Sequence, residues 1–216
     1  MAMTSHGGGF VVALVGAEST GKTTLAAELR DALAGPARRV ALVSEYLREF
    51  CVLNLRTPHR HEQAGIAAEQ SLRIAAAAGD HDVVVADTTA LMIAVYSDHV
   101  FGDTSLYASA QADHARCDLT LLSGLDLPWM ADGLQRDGPH VREPIDALVR
   151  AALGRTGSPY AVVSGAGPAR LEAALASVQR ALAPAVVDAG TLVRWQWHCE
   201  RCGDSRCERQ TLLPRG

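Results

Sequence analysis

Residues Phe10 to Thr23 read FVVALVGAESTGKT, an apolar run that ends on a glycine-rich loop of pattern G-x-x-x-x-G-K-[ST]. An Ala- and Leu-rich segment with helical spacing follows from Thr23 to Leu33. A strand that feeds such a loop, which in turn feeds a helix, is the setting in which this pattern holds a polyphosphate. It also commits the chain to an α/β architecture. The glycines permit a backbone path that aims successive amide N–H groups at phosphate oxygens, and the helix N-terminus adds partial positive charge. Gly16, Ala17, Glu18, Ser19, Thr20, Gly21, Lys22, Thr23 and Thr24 then surround the phosphates of ATP or GTP. Lys22 reaches the β- and γ-phosphates, and the Thr23 hydroxyl takes a position on Mg²⁺. Of the 20 basic residues only Lys22 is lysine, so the lone ammonium is kept for this loop.

Short Val- and Leu-rich runs without polar alternation recur at Val40–Ser44, Asp82–Asp87, Asp118–Ser123 and Tyr160–Ser164. Runs of this kind suit strands covered on both faces of a parallel sheet. Between them helical spacing appears at Glu62–Ala78, Leu91–Asp98 extended by Ser105–Ala115, Glu143–Leu153 and Ala169–Leu182. The pattern predicts a three-layer α/β sandwich around a five-stranded parallel sheet. Gly35-Pro36, Gly79 and Gly157 to Pro159 punctuate the elements. The opening MAMTSHGGG (1–9) reads as a disordered leader, 10–184 as one domain, and 185–216 as a hairpin-like, Cys-rich appendage.

A formal charge of −4 argues against nucleic acid or an anionic membrane surface as partner. No apolar run approaches the roughly 20 residues that span a bilayer, and no signal peptide is recognisable. The odd, lopsided set of five cysteines fits a reducing cytoplasm rather than a disulfide framework. Oligomeric state is not legible.

Asp87 closes the third apolar run, where a carboxylate faces the crevice at the C-terminal edge of a parallel sheet. It reads as a Mg²⁺ ligand, as a catalytic base, or as the cap of a helix beginning near Thr88 and Thr89. Glu45 follows the second run at the same edge. It reads as a second carboxylate for orienting an acceptor hydroxyl, or as a solvated helix start.

The residues then resemble a known family, the NadR-type ribosylnicotinamide kinases and wider NadR-like P-loop ATPase domains. The matching segments are GAESTGKTTL, EYLREF (Glu45–Phe50), AEQ (Ala68–Gln70), DTT (Asp87–Thr89), DLTLL (Asp118–Leu122) and PWMADGLQR (Pro128–Arg136). The resemblance implies a nucleoside-kinase-like P-loop core that uses ATP and Mg²⁺ to phosphorylate the 5′-hydroxyl of nicotinamide riboside or a related nucleoside. It implies that Asp87 lies near Mg²⁺ and the acceptor hydroxyl, that Glu45 and Tyr46 lie beside the substrate, and that Tyr96 stacks on its ring. Arg136 and Arg142 fall in a segment that resembles a mobile lid whose arginines approach the phosphates. The competing reading is a regulatory ATPase that hydrolyses ATP with no small-molecule acceptor.

The segment WHCERCGDSRC places Cys199, Cys202 and Cys207 within nine residues, with His198 adjacent. Three thiolates at this spacing match three positions of a structural Zn²⁺, with His198, Asp204 or Glu208 open as the fourth; free or redox-active thiols are the alternative. Trp195 and Trp197 read as packing residues, His59 and His61 as a solvated helix start, and His99 and His114 receive no role.

Overall fold

The computed structural model describes residues 8–130 and 138–183. Five strands form: β1 (Phe10–Val15), β2 (Val40–Val43), β3 (Val83–Asp87), β4 (Leu119–Ser123) and β5 (Tyr160–Val163). All pair in parallel, in the order β2-β3-β1-β4-β5. The helices are α1 (Lys22–Leu33), α2 (Tyr46–Asn54), α3 (Gln63–Asp80), α4 (Ala90–Phe101), α5 (Tyr107–His114), α6 (Arg142–Thr156) and α7 (Gly167–Leu182).

The central strands β1 and β3 are covered on both faces, which is why FVVALV and VVVAD carry no alternation. Val12 and Leu14 pack with Leu25 and Leu29 of α1 and with Ala174 and Val178 of α7. Val15 turns to the opposite layer, which holds α4 together with Ile66 of α3, Ala110 of α5 and Ile145 of α6. Residues Ala90 to Val95 of α4 are buried all round, as expected of a helix wrapped by other helices. Among the described residues no helix is long and apolar enough to cross a membrane.

Three details differ from the sequence expectation. Helix α2 is additional. The expected helix over 91–115 is two, because Gly102 adopts φ 63° and closes α4 with its N–H on the Asp98 carbonyl at 2.8 Å. Gly79 stays inside α3, which runs one residue further and stops at extended His81.

His114, given no role from sequence, is buried between two threonines. Its Nδ1 lies 3.1 Å from Thr89 Oγ1 and its Nε2 3.0 Å from Thr120 Oγ1. Burial pushes the imidazole down to about 4, so it is neutral and joins the start of α4 to β4. Cys51 is buried in the α2–α4 layer, and burial pushes the Cys117 thiol up to about 12. Residues 1–7 of the predicted leader lie outside the described residues, as does the tail with Trp195, Trp197, His198, Cys199, Cys202 and Cys207.

Candidate active site

The loop after β1 is built on glycines for steric reasons. Gly16 has φ 140°, and a Cβ there would meet the Ser123 carbonyl oxygen at 3.1 Å. Gly21 has φ 71°, and its Cβ would meet Leu127 Cδ1 at 3.0 Å. The Thr20 hydroxyl and the Lys22 ammonium both donate to the Ala17 carbonyl, at 2.7 and 2.8 Å. Lys22 is therefore folded across the loop and only 9% exposed. Thr23 and Thr24 stand exposed in the cleft at the first turn of α1.

The loop is braced from two sides. Arg170 of α7 donates to the Thr20 carbonyl at 2.7 Å, the Ser123 hydroxyl at 3.1 Å and the Gly165 carbonyl at 3.1 Å. In front, the Ser19 hydroxyl accepts from the Met130 N–H at 2.7 Å and donates to its carbonyl at 3.1 Å.

Beside the loop, β3 ends on Asp87, 2% exposed, with Oδ1 buried and without a partner. Thr88 has φ 73°, a conformation that β-branched residues rarely adopt, and its N–H is fixed to the Leu14 carbonyl at 3.1 Å. Thr89, not Asp87, caps α4 by accepting from the Leu91 N–H. The cap being supplied elsewhere leaves the Asp87 carboxylate uncommitted. An orphaned buried carboxylate oxygen next to a phosphate cradle fits Mg²⁺ or one of its waters. Among the described residues no group of three or more His, Cys, Asp or Glu is arranged to hold a metal ion. Mg²⁺ would thus be held by Asp87, Thr23 and the phosphates it arrives with.

Glu45 is the residue before α2, 13% exposed on its side chain, with Arg48 Nε 3.5 Å away. Burial, first of all, holds its carboxyl above the ordinary carboxylate range. The Lys22 ammonium opposes that shift, the Asp87 charge adds to it, and Arg48 opposes it. Lys22, Asp87 and Glu45 therefore act on one another across a single site.

Gln70 sets this arrangement. It is fully buried on α3, accepts from the Tyr46 N–H at 2.7 Å, and donates towards the Ser44 and Thr88 carbonyls at 3.3 and 3.5 Å. One amide thus ties both neighbours of Glu45 to the neighbour of Asp87. Glu45 makes no side-chain cap for α2, so Gln70 also satisfies a first-turn donor that would otherwise be orphaned. Gln70 lies in the AEQ segment, but spacing alone gives it no function.

These groups border a cleft of about 880 Å³. The phosphate loop, Glu18 to Thr24, forms one part, followed by Glu45 and Arg48. Beyond them the wall continues with Leu47, Cys51, Leu55, Tyr96, Val100 and Phe101, an arm with many apolar residues that also carries Arg56, Thr57, His59, Gln63 and His99.

An AAA domain profile matches residues 11–170 of the chain, about three quarters of its length. The chain belongs to this AAA domain family. No curated protein matches the sequence. Among solved structures, the AAA domain is similar to the crystal structure of a NadR protein in complex with NR. The TM-score is 0.65 at 20% identity, covering 80% of this chain and 50% of the other. A NadR protein in complex with NAD and AMP-PNP gives a TM-score of 0.62 at 21% identity, covering 80% and 49%. The chain thus spans about half the length of the NadR chains it matches. Deoxyadenosine kinase from M. mycoides, with products dCMP and a flexible dCDP, gives 0.56 at 14% identity, covering 79% of this chain and all of that one. The shared fold is that of P-loop nucleoside and nucleotide kinases.

Within the AAA domain, Glu45, Tyr96, Lys22 and Thr23 all border the cleft, and Asp87 lies buried beside the loop. Tyr46, expected beside the substrate, does not line the cleft. As the first residue of α2 it turns toward α3, its ring 4.3 Å from the Arg73 guanidinium and outside the cleft wall. It serves the site through its backbone N–H. Arg142, expected as a lid arginine, lies at backbone carbonyls in this structure. It is buried at the start of α6 and donates to the Leu127 and Leu125 carbonyls at 2.8 and 3.0 Å, so it braces the loop after β4. Arg136 lies outside the described residues. Arg170 was not anticipated, since no local pattern links it to a loop 150 residues earlier.

Proposed function

We propose that this AAA domain is an ATP- and Mg²⁺-dependent kinase of a nucleoside-like small molecule, with the 5′-hydroxyl of nicotinamide riboside as the first acceptor to test. The observation that carries this reading is the second arm of the cleft. Water as acceptor needs no room, whereas here an arm faced by Tyr96 opens beyond the phosphate loop, with Glu45 at its entrance. The raised affinity of Glu45 for a proton suits a group that takes a proton from an acceptor hydroxyl near neutral pH. Asp87 would hold Mg²⁺, and Lys22 would move from the Ala17 carbonyl to the transferring phosphate.

The test is an acceptor screen: the full chain with Mg²⁺-ATP and a nucleoside panel including nicotinamide riboside, read by mass spectrometry for a gain of one phosphate. Phosphorylation that disappears in Lys22→Ala supports the kinase. ADP released with no acceptor modified would replace it with a regulatory ATPase.

For the tail we propose a structural Zn²⁺ held by Cys199, Cys202 and Cys207, with His198 as candidate fourth ligand. The full chain should carry stoichiometric zinc by elemental analysis and lose it in Cys202→Ser. A zinc-free chain with titratable thiols sinks the assignment.

A further inference from the structure

Gln63, the first residue of α3, borders the cleft and makes no side-chain hydrogen bond among the described residues. It is 4% exposed, and its Oε1 is buried with no hydrogen-bond partner among the described residues. A buried amide left unpaired destabilises the free protein. Its counterpart seven residues later, Gln70, has a partner at every polar atom. The contrast indicates that Gln63 has its partner in a ligand.

Position and chemistry define that ligand. Seven residues of helix place Gln63 about 10 Å along α3 from Gln70, which marks the Glu45 end of the site. That is about the span from a nucleoside's primary hydroxyl to the far edge of its base. The cleft wall that includes Gln63 carries Leu47, Cys51, Leu55 and Phe101 together with the polar Arg56 and His59. A side-chain amide offers one acceptor and one donor side by side, and the choice of which atom faces outward is free. The complementary ligand edge also carries a donor beside an acceptor: a carboxamide, an amidine or a lactam. A carboxylate, an unsubstituted purine or a pyrimidin-2-one offers acceptors only, and an unsubstituted pyridinium ring offers neither.

We infer that Gln63 is a specificity-determining residue of the acceptor site and selects nucleosides whose base bears an amide-like donor–acceptor edge. The inference rests on the kinase reading above and adds the class of base to it.

The test measures phosphate transfer from Mg²⁺-ATP by wild type and Gln63→Leu to three nucleoside pairs. These are nicotinamide riboside, adenosine and cytidine, each beside the analogue lacking its exocyclic amide or amine: pyridine riboside, purine riboside and pyrimidin-2-one riboside. Wild type should prefer the amide- or amine-bearing member of at least one pair in kcat/KM, and Gln63→Leu should cut that preference about tenfold or more. Because the buried Oε1 has no partner among the described residues, the melting temperature of Gln63→Leu should hold or rise. A variant that keeps the wild-type preference, or that melts lower and loses activity equally on both members, overturns the inference while leaving the kinase reading intact. A wild type that phosphorylates none of the six nucleosides removes the kinase reading, and this inference with it.

Discussion

Replacing Gln70 with leucine tests whether one buried amide joins the two acidic residues of the site. Leucine is close in size and leaves little cavity, so the loss is mainly polar. The Tyr46 N–H, bonded at 2.7 Å, is left without a partner at the start of a helix that has no side-chain cap of its own. Stranding it costs about 1–2 kcal/mol. The Thr88 carbonyl is buried but bonded at only 3.5 Å, and the Ser44 carbonyl at 3.3 Å lies beside an exposed residue that water reaches. Together they add about 1 kcal/mol, and the extra apolar contact of leucine offsets a similar amount. The net is about 1–2 kcal/mol, which lowers the melting temperature by about 2–8 °C in a domain of this size. Differential scanning calorimetry reads this directly. The functional arm is acceptor KM, which should rise more than the KM for ATP because Glu45, not the phosphate loop, loses its anchor. Gln70→Glu sharpens the test: an ionised carboxylate would face the Ser44 and Thr88 carbonyls, so its folded pKa is raised. Its stability deficit relative to wild type should therefore be smallest near pH 4 and grow as pH rises. A Gln70→Leu melt within 1 °C of wild type, with both KM values unchanged, would refute the reasoning.

Other perturbations follow from the same contacts. Arg170→Leu strands the Thr20 and Gly165 carbonyls behind the phosphate loop; we expect a loss of about 2–4 kcal/mol and weaker binding of a non-hydrolysable ATP analogue, by calorimetry. The Arg56 guanidinium, bonded to Glu62 by two contacts of 2.7 Å, holds that carboxyl down at about 2. The stability of wild type over Glu62→Gln should be complete above the unfolded value of 4.5 and fade as pH falls toward 2, in melts across that range. Glu45 has the opposite sign. Its raised folded pKa means wild type loses stability as pH rises through it, so Glu45→Gln should gain in melting temperature over wild type between pH 4 and 8 while losing phosphoryl transfer. A gap that does not widen with pH would show that burial does not raise the Glu45 carboxyl above the ordinary carboxylate range.

Strands β1 and β3 were legible because a strand buried on both faces needs an unbroken apolar run, and few other structures do. Helix α2 was not. Only Leu47 and Cys51 of its nine residues are buried, and Val52, Leu53 and Leu55 stand exposed around its end, so it has no clean apolar stripe to read. The phosphate loop was legible since its residues are consecutive and each does its work locally. Gln70 acts on partners 18 or more residues away and Arg170 on one 150 residues away, and no spacing rule reports such a distance. Arg142 shows the converse: its place in the sequence suggested a reach toward phosphate, and the path of residues 125–127 turns it to backbone carbonyls instead.

The position of Lys22, folded across its loop and shielded, makes the chain an unusual reporter on itself. In a chain with one lysine, amine-directed reagents find a single side chain, and on the proposed kinase reading that side chain is the one a nucleotide recruits. The rate at which it takes up an acyl label then records, in one mass peak, how often the loop opens and how completely a bound triphosphate closes it. The same solitude makes acylation of Lys22 an all-or-none chemical event, with no other lysine to dilute its effect.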